Sequence, residues 1–198
     1  MSSQRKPKYT ASEYLQLERS ASERHEFAFG EIFAMGGASA RHVEIVSNLV
    51  RELGNRLRDR TCKVYATDLR LCVDAEGRYT YPDVLIACGK PRFLDDQFDT
   101  LLNPDVIIEV MSPSTRNYDR GDKFQQYREI PSFHEYLLID QSCVYIEKHT
   151  KGDDGDWKLT EIKSLEAEIH LDSINIVLPV SEIYLKVDFA PVEDATGL

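Results

Sequence analysis

Two carboxylates stand where hydrophobicity alone would not put them. Asp83 lies in Pro82–Cys88 (PDVLIAC) and Glu109 in Asp105–Met111 (DVIIEVM), two runs that are otherwise almost wholly apolar. Such runs read as central strands covered on both faces. Burying a carboxylate there costs several kcal/mol unless it is paired or binds a cation. Two of them, 26 residues apart, can converge at one edge of a sheet. That is the oxygen environment a hard cation such as Mg²⁺ takes, with water and substrate phosphate completing the shell. The backbone carbonyl of Val110 would add a third oxygen. The alternative is two carboxylates satisfied by backbone amides or by Arg70, with no metal.

Lys123 follows Glu109 by 14 residues, on a helix that has to pack back over the sheet. An ammonium beside a metal could orient an attacking water or stabilise charge developing on phosphorus; otherwise Lys123 is an ordinary exposed helix residue. Tyr127 shares its helical face at i+4, and Asp119 or Arg120 could lie near the same end. His42 could contact phosphate or a metal-bound water, or simply begin a helix. Asp68 could assist the metal or pair with Arg70.

The elements that must position these residues follow from the pattern. Thr10-Ala-Ser-Glu13 has the form of a capping box before a short first helix. Phe27, Phe29, Ile32 and Ala34 flank Gly30-Glu31 as a small hairpin. Val43, Val46, Leu49, Val50, Leu53 and Leu57 recur at helical spacing after Gly36-Gly37-Ala-Ser39. Strands are expected at Cys62–Ala66, Asp68–Val73, Pro82–Cys88, Asp105–Met111, Glu135–Asp140, Cys143–His149, Trp157–Ile162 and Ile174–Val180. A helix is expected from about Tyr118 to Glu129, and a turn at Glu182–Tyr184. This is an α/β (α+β) fold, a mixed sheet flanked by helices, in a single domain over 1–198 with its core at about 9–186.

Composition narrows the rest. The 198 residues carry a formal net charge of −10, which opposes strong non-specific affinity for nucleic acid. The acidity is uneven: residues 131–198 hold 5 Lys/Arg against 14 Asp/Glu, whereas residues 1–130 are nearly neutral. Any polyanion site therefore belongs in the first two thirds. Cys62, Cys72, Cys88 and Cys143 form no CxxC pair and read as reduced, buried thiols in a cytoplasmic protein. No run is long and apolar enough to span a membrane, and MSSQRKPKYT lacks the apolar core of a secretory signal. The five histidines show no zinc spacing. Lys151-Gly-Asp-Asp-Gly-Asp156 reads as a hairpin turn rather than a calcium loop, since no Glu stands at the twelfth position.

Pro82-Asp83, Glu109-Val-Met-Ser-Pro-Ser-Thr115, Asp119-Arg-Gly-Asp-Lys123 and Tyr127 together resemble the Uma-type family of bacterial endonucleases, within the PD-(D/E)xK restriction-endonuclease-like superfamily. The likeness extends to Tyr9–Glu13, Gly30-Glu31-Ile32, Arg41-His42, Asp68 and Pro131-Ser–Glu135-Tyr136, and so reaches about Tyr184. It implies a restriction-endonuclease-like core, with Asp83 and Glu109 as metal ligands and Lys123 as the catalytic lysine. One position departs from the wider pattern: Met111 stands where the ExK lysine would be, and the resemblance implies recruitment of the lysine from the following helix. The function implied is Mg²⁺-dependent (or Mn²⁺-dependent) hydrolysis of DNA phosphodiester bonds. The rival readings are a catalytically weak interaction module that keeps the metal pocket, and a small phosphate-ester hydrolase. Edge strands in a small mixed sheet, and cleavage of both strands, would suit a homodimer.

Overall fold

The computed structural model describes residues 8–74, 77–113 and 115–189. Helix α1 (Ala11–Ser20) begins at Thr10, whose side chain accepts from the Glu13 amide while the Glu13 carboxylate accepts from the Thr10 N–H, so two orphan donors are satisfied reciprocally. The hairpin β1 (His25–Ala28)–β2 (Glu31–Ala34) turns on Phe29 and Gly30. Both have positive φ (54° and 82°), as a two-residue turn matching the strand twist requires. Helix α2 (Ala40–Leu57) is capped by Ser39. Then come β3 (Lys63–Ala66), β4 (Arg70–Cys72), β5 (Tyr79–Thr80), β6 (Val84–Ala87), β7 (Thr100–Leu101) and β8 (Val106–Met111).

The expected helix after β8 is present but compound: α3 (Arg116–Tyr118), one π-helical turn (Asp119–Lys123) and α4 (Phe124–Tyr127). The chain continues through β9 (Glu135–Asp140), β10 (Ile146–Lys151), β11 (Trp157–Ile162), β12 (Glu168–Leu171), a 3₁₀ turn (Asp172–Ile174), β13 (Ile176–Pro179) and α5 (Val180–Ile183). Lys151–Asp156 does form the turn between β10 and β11, which pair antiparallel from Ile146↔Ile162 to Lys151↔Trp157.

The architecture is mixed α+β. A six-stranded sheet runs β11-β10-β9-β8-β6-β3, beside a five-stranded sheet β2-β1-β5-β4-β7 and the hairpin β12-β13. Strands β6 and β8 are buried throughout. Alternation along them splits the core by face. Val84, Ile86, Ile108 and Val110 pack with Ile45, Leu49 and Leu53 of α2. Leu85, Ile107 and Met111 pack with Tyr127, Phe133 and Tyr136 on the other side. Strands β8 and β9 are parallel, so a crossover must join them; the α3–α4 helix is that crossover.

The cysteines depart from expectation. Cys62 and Cys88 form a disulfide, and Cys143 is exposed rather than buried. The reason lies in the register: β3 and β6 pair antiparallel with Lys63 opposite Ala87, so the next pair outward is Cys62 and Cys88. No helix among the described residues is long and apolar enough to cross a membrane.

Candidate functional site

Antiparallel pairing of β6 with β8 sets Val84 opposite Ile108, which puts Asp83 opposite Glu109 just past the end of the ladder. Pro82 has no N–H to extend that ladder. The Asp83 side chain ends it instead: its Oδ2 accepts from the Val110 N–H at 2.7 Å. Its Oδ1 lies 2.9 Å from His42 Nε2 at the start of α2. Burial alone would lower the His42 pKa, but the Asp83 carboxylate and the Val110 carbonyl outweigh it and hold the imidazole above its ordinary value. That oxygen pair thus favours a positive charge between α2 and the sheet.

Glu109 is 4 % exposed and Lys123 6 %. Lys123 Nζ lies 3.0 Å from Glu109 Oε1, 3.2 Å from Glu26 Oε1 and 3.7 Å from Asp119 Oδ1. The Tyr127 hydroxyl donates to the same Glu109 oxygen at 2.8 Å and lies 3.1 Å from Thr80 Oγ1. Burial pushes the Glu109 carboxyl above the usual carboxylate range; Lys123 opposes that shift, and Asp83 and Asp119 add to it. Burial opposes the charge of Lys123, yet Glu109, Tyr127, Glu26 and Asp119 hold its pKa well above the ordinary value. The π-helical turn sets both Asp119 and Lys123 on the cleft. Such turns occur mostly as single insertions into α-helices, often at functional sites.

These groups line a cleft of about 800 Å³ with the Met35–Ser39 segment, Tyr81 and Tyr118. Of the residues singled out in the sequence, Asp83, Glu109, Lys123, His42, Val110 and Asp68 all border it, while Tyr127 lies fully buried behind Glu109. Arg70 answers neither carboxylate; it pairs with Asp99 at 2.9 Å. Asp68 pairs with Arg24 at 3.5 Å instead. Arg120 turns away to Glu147. Sequence reasoning missed Glu26 and Arg24. Both precede or sit in a short hairpin strand, where an acid or a base carries no local signal.

Among the described residues no cluster of three or more His, Cys, Asp and Glu side chains is arranged to hold a metal ion. A hard divalent cation needs less from the protein: two carboxylates, with waters and substrate oxygens filling its octahedron. Asp83, Glu109 and the Val110 carbonyl have that donor chemistry, and both carboxylates border the cleft.

A mixed sheet flanked by helices, with a βαβ crossover laid over a buried carboxylate, defines a nuclease-like fold of the restriction-endonuclease-like class. A solved structure described as a "putative nuclease belonging to DUF820" from Anabaena variabilis shares it, with a TM-score of 0.72 at 16 % identity over 88 % of this chain and 97 % of that one. Residues 11–181 match the Uma2 family, described as "Putative restriction endonuclease", and the chain belongs to that family. Two proteins of Synechocystis sp. are similar to it. "Uncharacterized protein sll1609" is 41 % identical over 84 % of this chain and 94 % of its own length. "Uncharacterized protein slr1290" is 37 % identical over 90 % and 92 %.

Proposed function

We propose that the protein is a divalent-metal-dependent endonuclease that hydrolyses phosphodiester bonds of DNA. The observation that carries this reading is the shared cleft: Asp83 and Glu109 both border it, with the Lys123 ammonium 3.0 Å from Glu109. Asp83, Glu109 and the Val110 carbonyl would hold Mg²⁺ or Mn²⁺. When bound, such an ion makes water a better nucleophile near neutral pH and offsets the charge of the phosphate. The chain's own groups do the rest. His42 fixes one oxygen of Asp83, and the Val110 amide fixes the other. Tyr127 donates to one oxygen of Glu109, the same oxygen that Lys123 approaches. Lys123 would place a positive charge beside Glu109, where it favours the negative charge that grows on the phosphorus oxygens. The acidic C-terminal third would lie away from DNA, and a second copy of the chain at a free sheet edge would allow both strands to be cut.

The test is cleavage of supercoiled, linear duplex and single-stranded DNA at low salt with Mg²⁺ or Mn²⁺, comparing wild type with Asp83→Ala and Lys123→Ala purified identically. Metal-dependent cutting lost in both variants supports the reading. Cutting that survives in both, or a wild type that binds metal and never cuts, overturns it, and the second result favours an interaction module.

A further inference from the structure

The cleft meets an incoming phosphodiester with six carboxylates (Glu23, Glu26, Asp68, Asp83, Glu109 and Asp119) and two permanent cations, Arg24 and Lys123. Lys123 is already committed to three of those carboxylates, and His42 to a fourth. Arg24 stands differently. Its guanidinium lies over the Tyr81 ring, 5.9 Å from the centroid, and its side chain is 40 % exposed. Among the described residues its ion pair is with Asp68, at 3.5 Å from Nε, and that Nε is buried with no hydrogen-bond partner.

Both members of this pair are anchored to the Asp83 segment. Tyr81, two residues before Asp83, donates its hydroxyl to Glu18 Oε1 at 2.9 Å, which fixes the ring under the guanidinium. Asp68 sits in a tight turn whose Thr67 N–H donates to the Asp83 carbonyl at 3.0 Å. Thr67 and Asp68 both have positive φ, 32° and 53°. Two consecutive non-glycine residues in that region carry strain of the kind found at ligand clamps. A guanidinium held over an aromatic face can offer N–H donors to two oxygens of one group in a bidentate pair.

We propose that Arg24 binds a phosphodiester of the substrate backbone through two non-bridging oxygens. Asp68 is the positioning residue that holds the guanidinium edge-on to the cleft until the phosphate displaces it. This rests on the nuclease reading and adds to it a sequence-independent backbone contact at the cleft.

The experiment is anisotropy of a fluorescein-labelled DNA oligonucleotide titrated with full-length protein. It is run in Ca²⁺ over a series of salt concentrations, for two unrelated base sequences. Arg24→Ala is expected to weaken binding about ten-fold for both sequences and to reduce the slope of log K against log salt by about one. Arg24→Lys keeps the slope and recovers only part of the affinity. Asp68→Asn tightens binding about two- to five-fold, the worth of an exposed ion pair, and less so when combined with Arg24→Ala. An Arg24→Ala variant with wild-type affinity and slope overturns the assignment while leaving the nuclease reading intact. Weaker binding with an unchanged slope and no recovery in Arg24→Lys also overturns it, since Arg24 would then act only through packing on Tyr81. A wild type with no affinity for either oligonucleotide at low salt overturns both proposals.

Discussion

Replacing Lys123 by Met keeps the length and volume of the side chain and removes only the charge. In the wild type the ammonium lies 3.0, 3.2 and 3.7 Å from Glu109, Glu26 and Asp119. Each contact is worth about 4–6 kcal/mol of gross attraction at an effective dielectric constant of about 20, most of it cancelled by desolvation of the ions. Removing one partner of a buried ion cluster leaves the others uncompensated and costs about 3–5 kcal/mol net. The cost should depend on pH in a defined direction. Burial already holds the Glu109 pKa above its ordinary value, and losing the ammonium raises it further. A carboxyl whose folded-state pKa is raised favours the folded state when protonated, so its stabilisation is lost as pH rises toward that folded value. Lys123→Met is therefore expected to lose about 3–5 kcal/mol at pH 9 and distinctly less at pH 6, on either side of the wild-type Glu109 value of about 8. Urea unfolding at both pH values, with an unchanged m-value, reads the difference. A loss below about 1 kcal/mol at pH 9, the range of an exposed pair, or a loss that ignores pH, would refute the reasoning.

Tyr127→Phe removes one hydroxyl from the buried chain Thr80–Tyr127–Glu109 without opening a cavity. It should cost about 1–3 kcal/mol in urea unfolding, the range for a buried bond to a charged group; a value indistinguishable from zero would remove Tyr127 as the residue that fixes Glu109. Asp99 joins α1 to β4 by accepting from Arg19 (2.8 and 3.1 Å) and from Arg70 (2.9 Å), and the Arg19 guanidinium holds its pKa down at about 2. A depressed carboxylate stabilises the fold above its unfolded pKa and loses that contribution as pH falls through the folded value. Asp99→Asn should therefore cost about 1 kcal/mol at pH 7, after solvent screening, and the gap from wild type should close between about pH 4 and 2. A gap that persists at the lowest pH would show that shape rather than charge holds α1 in place.

The parts of this fold that the sequence declares are those with strong periodicity or strong anomaly. Helix α2 shows its buried face at every third and fourth residue, and the acids in PDVLIAC and DVIIEVM stand out because their neighbours are apolar. Tyr127 is legible at i+4 from Lys123 because both lie on one side of a helix. The two-residue strands β5 and β7 are too short for any alternation to appear, and β12 alternates without the bulk that marks a strand. The π-helical turn has no residue signature, because one extra residue in a helix is a matter of backbone geometry. Glu26 meets Lys123 across 97 positions of sequence, and Cys62 meets Cys88 only through the strand register. Both need tertiary structure before they can be read.

Met111 lies two residues after Glu109, on the same face of β8, and is fully buried. A lysine at that position would reach its glutamate within one strand, as soon as the strand forms. Here the cation comes from another element, so Glu109 waits for the crossover helix to dock before its charge is answered. The electrostatic centre then forms only once the chain between Glu109 and Lys123 has closed on itself. The same dependence makes the helix a gauge of the site's integrity: any displacement of its π-helical turn carries Asp119 along with Lys123 and separates both from Glu109 and Glu26 at once.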